Sequence, residues 1–164
     1  MAFIIDDNRV GWQPIANTET TKNHALGTIV RATDPTLGQG EFIYLQGIGS
    51  TVVGSIVNYD DNFVTALDTT STAGPPRPLA VAMSANVASA YGWYQISGLA
   101  VATKSSAVSF ADGATLGATS GLAVAAVTGS LINGAIVRTV ASAKSGVVTV
   151  PIAINRPHDP SDIS

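Results

Sequence analysis

From residue 41 onward the chain is a series of short β-branched or aromatic runs broken by glycine or proline at intervals of roughly 8 to 15 residues, and this punctuation excludes most folds. Helices need longer uninterrupted periods, whereas many short strands with turn residues between them fit a sandwich or a barrel. The runs are 41–46, 51–58, 63–67, 79–83, 93–97 continuing to 102, 107–110, 122–127, 136–141 and 147–153. Within Trp93-Tyr94-Gln95-Ile96-Ser97, the two-residue period of a strand puts Tyr94 and Ile96 on one face and Trp93, Gln95 and Ser97 on the other. Gly98 then marks a bulge or a close backbone contact. Asp60-Asp61-Asn62 and Asp112-Gly113 read as turns, and 68–78 as an exposed loop. Residues 84–90 fit either a short helix or an irregular loop.

Residues 1–40 show no sustained period. Polar clusters such as Asn17-Thr18-Glu19-Thr20-Thr21-Lys22 surround an apolar island at Trp12, Pro14 and Ile15, with one strand expected near 28–31. The expected fold class is therefore all-β: a compact sandwich or barrel of short antiparallel strands with an extended N-terminal arm. The expected division is an arm over 1–40, a β domain over 41–155 and a flexible, proline-containing tail over 156–164. Asp6 and Asp7 stand where a secretory signal carries a basic and then an apolar segment, so the start reads as mature.

Charge is sparse. Asp, Glu, Lys and Arg make up 12% of the chain, about half the ~25% of an ordinary soluble domain. Residues 78–103 and 113–137 contain none of them. Ser, Thr, Asn, Gln and Gly interrupt both stretches well short of the ~20 apolar residues of a membrane span. Two explanations remain: surface covered by other copies or another protein, or buried β layers with Ser/Thr-rich outer faces. A net charge of −3 with scattered basic residues gives no footprint for nucleic acid.

Catalytic chemistry finds little to work with. There is no cysteine, and the two histidines, His24 and His158, lie far apart in sequence with no Gly-x-Ser-x-Gly elbow or Ser-x-x-Lys. Zinc needs three or four converging Cys, His or carboxylate ligands, and the Asp60 triplet lacks the rest of a calcium loop. Gly47-Ile48-Gly49-Ser50-Thr51-Val52-Val53-Gly54 lacks the Gly-Lys-[Ser/Thr] ending of a phosphate loop. No enzyme activity, cofactor or metal is expected. The residues singled out are interface candidates: Trp12, with Pro14 and Ile15 beside it, as an aromatic anchor, and Trp93 as either core or interface.

Four phrases carry a resemblance. Gly40-Glu41-Phe42-Ile43-Tyr44-Leu45-Gln46-Gly47, Thr51-Val52-Val53-Gly54-Ser55, Pro78-Leu79-Ala80-Val81-Ala82-Met83-Ser84 and Tyr91-Gly92-Trp93-Tyr94-Gln95-Ile96-Ser97-Gly98 resemble, in order and spacing, small β-rich virion structural proteins of tailed bacteriophages, of the capsid decoration (cement) class. The layout is similar over about 40–153 and sharpest over 40–98. The resemblance implies a protein on the outer capsid surface of the virion that binds the major capsid protein through an extended arm and stabilises its lattice. It also implies a homo-oligomer, with a trimer favoured, and neither nucleic acid nor membrane as partner. Other small virion or adhesin-like modules, such as head fibres and tail components, share the same character.

Overall fold

The computed structural model describes residues 4–6, 11–69, 76–127, 130–138 and 148–159. Among these the protein is all-β, with no helix. In chain order the strands are β1 (Ile4–Ile5), β2 (Thr18–Glu19), β3 (Ile29–Asp34), β4 (Gly38–Gln46), β5 (Ile56–Tyr59), β6 (Thr65–Leu67), β7 (Leu79–Ala82), β8 (Tyr91–Lys104), β9 (Leu116–Thr119), β10 (Leu122–Ala125), β11 (Asn133–Val137) and β12 (Val148–His158). They join into one sheet that does not close into a barrel, with the path β1-β3-β4-β8-β7-β5-β6 and the remaining strands attached along β8 and β12. Among the described residues pairing is antiparallel except where Ala123 of β10 meets Lys104 and at a single parallel bridge between Gln46 and Val64.

Strand β8 is the spine. Its first half pairs with β4 and β7, and its second half pairs with β12. Ser97 is paired on both sides, with Glu41 and with Asn155. At this crossover the β4 register jumps, so that Glu41 faces Ser97 while Phe42 faces Gln95. The extra residue makes a bulge, and the buried Gln95 side chain ties it together by donating to the carbonyls of Ser97 and Leu99, each at 3.1 Å. Gly98 has φ +101, and a Cβ there would sit 2.6 Å from the Gln39 carbonyl oxygen. Of the two alternatives expected at Gly98, the close contact is met there, and the bulge falls just before it, at Ile96.

Both faces of the spine are buried. Trp93 packs with Phe42, Tyr44, Val30, Ala32, Met83 and Ile15, while Tyr94 and Ile96 pack with Ile43, Leu45, Val57, Ala80 and Ala82 on the opposite face. A third cluster lies around the far half, built from Ala100, Ala102, Leu116, Ala123, Ile132, Val150 and Ile152 among others. Residues 78–103 are largely consumed by these cores, which favours buried layers as their explanation, whereas the described part of 113–137 alternates buried with half-buried and exposed positions.

Three expectations change. Residues 11–40 do not reach away as an arm: β3 pairs along its whole length with β4, β2 pairs with β8, and Ile15 is buried. The physical reason is that the aromatic face of β4 and β8 needs a cover, and the Trp12–Ile15 island supplies it. Residues 156–158 are not tail but the end of β12, reaching Asn133. Pro157 is tolerated there because the β11 pairing shifts register between Asn133 and Ala135, leaving room for it and for Arg156 at φ +46. Residues 51–55 form turns rather than strand and 107–110 form no strand, while 84–90 take the loop, one of the two forms expected for them. Strand β9 was not expected. The expected strand over 136–141 is displaced to β11, with 139–141 outside the described residues, as are 70–75 of the predicted loop and 160–164.

Candidate functional site

Three of the four interface candidates, Trp12, Ile15 and Trp93, come together in one apolar cluster, and Gln13 is bonded to Trp93 within it. The N-terminal segment crosses the face of β4 and β8 with Trp12 half-buried, Gln13 and Ile15 buried and Pro14 exposed. Trp93 is fully buried, and its indole N–H donates to the Gln13 backbone oxygen at 2.9 Å. The Gln13 side chain donates to the carbonyls of Asn17 (2.9 Å) and Tyr91 (3.3 Å) and accepts from the Tyr44 hydroxyl (3.0 Å). A buried amide with every group paired fixes the segment in one register.

Around this amide the rings interlock. Trp12 meets Trp93 edge-on at 5.8 Å between centroids and lies 4.9 Å from His24. His24 lies 5.0 Å from Tyr44 and 5.6 Å from Trp93, and Tyr44 stacks on Tyr91 at 6.4 Å. The His24 Nε2 accepts from the Gln13 backbone N–H at 3.2 Å, which requires the neutral ring with its proton on Nδ1. Burial lowers the His24 pKa, against a smaller opposing pull from the Glu19 charge. Burial likewise raises the Tyr44 hydroxyl.

Such a cluster holds a segment in place, with the Gln13 amide, the Tyr44 hydroxyl, the Trp93 indole N–H and His24 Nε2 bonded within it. Trp93 is therefore core rather than a subunit contact, and Ile15 serves inside the molecule. The parts of the cluster that face solvent are Pro14 and the half-buried rings of Trp12, His24 and Tyr91. Gln13, His24, Tyr44 and Tyr91 carried no signal in the sequence, because their bonds link residues up to 80 positions apart.

The Asp60 turn is as expected. Asp60 Oδ1 accepts from the backbone N–H groups of Val64 (2.9 Å) and Asn62 (3.0 Å) inside the β5–β6 hairpin, and these bonds hold its carboxyl below the usual range. A second concave surface, a cleft of about 400 Å³, lies beside this hairpin, lined by Tyr59, Arg77, Pro78, Arg156, Pro157 and His158. Its positive charge is partly engaged, since Arg156 pairs with Glu41 at 3.0 Å, and Glu41 also holds Arg31. Among the described residues no group of three or more His, Cys, Asp and Glu side chains could hold a metal ion.

In comparisons with known proteins, no family model matches this sequence and no curated protein matches it.

Proposed function

We propose that this chain is a capsid decoration protein of a tailed bacteriophage, which binds the outer surface of the head and stabilises the lattice of the major capsid protein. The observation that carries this reading is where the four resembling phrases fall. They map to β4, to the turn entering β5, to the segment around β7 and to the first half of β8, and these strands are consecutive neighbours in the order β4-β8-β7-β5. The likeness therefore covers one connected unit with a shared core rather than scattered turns.

On this reading the attachment surface lies on the same molecule but not at Ile15, whose burial commits it to the body, nor at Trp12, whose ring packs against Trp93 and His24. It falls to the β1–β3 edge, where β1 is only two residues long and Ile4 is 69% exposed, together with the outer side of β3 bearing Ile29, Arg31 and Thr33. A short strand at the edge of a sheet is suited to receive a neighbouring chain. The partner is the major capsid protein, and self-association as a trimer on the lattice follows the same reading.

The test is to image heads assembled without this protein, before and after adding the purified chain. The expected result is new density on the outer capsid surface in a threefold arrangement. Density at the tail or on fibres would assign the alternative virion role, and no added density would overturn both.

A further inference from the structure

Where the end of β12 meets β5 and the segment leading into β7, the fold buries carboxylates that it does not satisfy. Asp68, just after β6, is fully buried, and Asp159, just after β12, is 9% exposed. Asn58 on β5 donates its amide to Asp68 Oδ1 at 3.0 Å. Backbone bonds lock the three elements at this level: Tyr59 donates to the Pro78 oxygen at 3.2 Å, Pro78 bridges His158, and Asp159 donates to the Arg77 oxygen at 3.0 Å.

The two carboxyls feel each other. Burial and then the Asp68 charge raise the Asp159 pKa to about 6, with Arg77 and His158 pulling the other way. Burial also raises Asp68, against hydrogen bonds from Asn58 and Thr69. After every hydrogen bond is assigned, Asn58 Oδ1, Asp68 Oδ2 and Asp159 Oδ1 are buried without a donor. One proton satisfies at most two of the three: shared between the carboxyls it leaves the Asn58 carbonyl, and donated from Asp68 Oδ2 to Asn58 Oδ1 it leaves Asp159 Oδ1. A hard cation accepts all three oxygens and offsets both buried charges.

We propose that Asn58, Asp68 and Asp159 form a divalent-cation site that pins the end of β12 to the β5–β6 hairpin. Calcium is the better match, because three oxygens from separate elements suit its flexible coordination shell better than the strict octahedron of magnesium, with backbone carbonyls or waters to fill the remaining positions. The site involves residues that lie outside the Asp60 turn and is independent of any role on a capsid.

The experiment uses the full chain stripped with a chelator and titrated with calcium chloride, read by thermal melting and by terbium luminescence. The wild type should show a saturable rise of several degrees in melting temperature and a terbium signal that calcium displaces. Asp159→Asn removes one buried charge, so it should fold at least as well without calcium while losing at least tenfold in apparent affinity. Asn58→Ala should weaken binding in the same direction. No shift in the wild type up to about 10 mM calcium, above the range of weak protein sites, overturns the proposal, as does an equal shift in Asp159→Asn. A chain that gains stability as pH falls through about 6, identically with and without calcium, assigns a shared proton instead and also overturns it.

Discussion

Gln13 is buried at 3% exposure in a stretch that reads as polar and irregular, yet it bonds Trp93, Tyr44, Tyr91, Asn17 and His24. Replacing it by Leu keeps the backbone bonds to Trp93 and His24 but strands the Tyr44 hydroxyl and the Tyr91 carbonyl in an apolar site. Each buried orphan costs about 1–3 kcal/mol, so Gln13→Leu should lose on the order of 3 kcal/mol of stability. The urea midpoint should fall with the slope unchanged. His24 adds a pH signature. Its folded pKa is lowered, so its contribution is fully present above the unfolded value near 6.5 and is lost as pH falls below that. The stability difference between wild type and His24→Gln should shrink across that window, and a difference independent of pH would contradict the neutral-ring assignment. Trp93 was legible as a core residue from its strand period and uncharged neighbours. Trp12 stood out as an anchor toward another subunit, and its partners within the molecule were not legible, because the surface it covers is assembled from β4 and β8, distant in sequence.

At the scale of elements, the bend in β8 decides how two halves of the sheet share one strand. Gly98 combines positive φ with a backbone oxygen 2.6 Å from where a Cβ would be, so neither strain nor clash can be relieved by a side-chain movement. Gly98→Ala should cost at least about 2 kcal/mol, read as a lower urea midpoint, whereas Gly38→Ala meets no atom and should lose only the left-handed backbone preference. The bulge was readable because a glycine interrupted an otherwise continuous strand pattern. By contrast, β9 escaped because Leu116-Gly117-Ala118-Thr119 has no β-branched residue but its last, and its burial comes from β10 and the core rather than propensity. The proline rule misjudged the C-terminus for the opposite reason: a bulge in β12 absorbs Pro157. The N-terminal segment can be tested as an element. Removing residues 1–27 should abolish cooperative unfolding, because it exposes Trp93 and the β4 aromatics, whereas removing 1–10 takes β1 and leaves the Trp12–Ile15 cover in place, so the chain should still fold, as circular dichroism would show.

For the whole molecule, low charge is explained mostly from within. A spine buried on both faces uses much of the uncharged stretch 78–103 as its core, and what remains for association is a small set of exposed apolar positions, among them Ile4, Ile29, Val52, Val53, Val87 and Val127. The all-β class was legible in turn spacing. The manner in which strands join, one open sheet wrapped by its own N-terminal segment, was not, because strand order and register depend on contacts that no local pattern encodes. If the body is rigid by itself and binds an assembled lattice, each bound copy stabilises the assembled state by its binding free energy, and the effect sums over the copies on a head. The most direct measurement is the thermal rupture temperature of heads assembled without this protein, with increasing amounts of the purified chain added. The account predicts a rupture temperature that climbs and then plateaus as outer sites fill, and that climbs less with a chain lacking residues 1–10. A rupture temperature unchanged at saturating protein would contradict it.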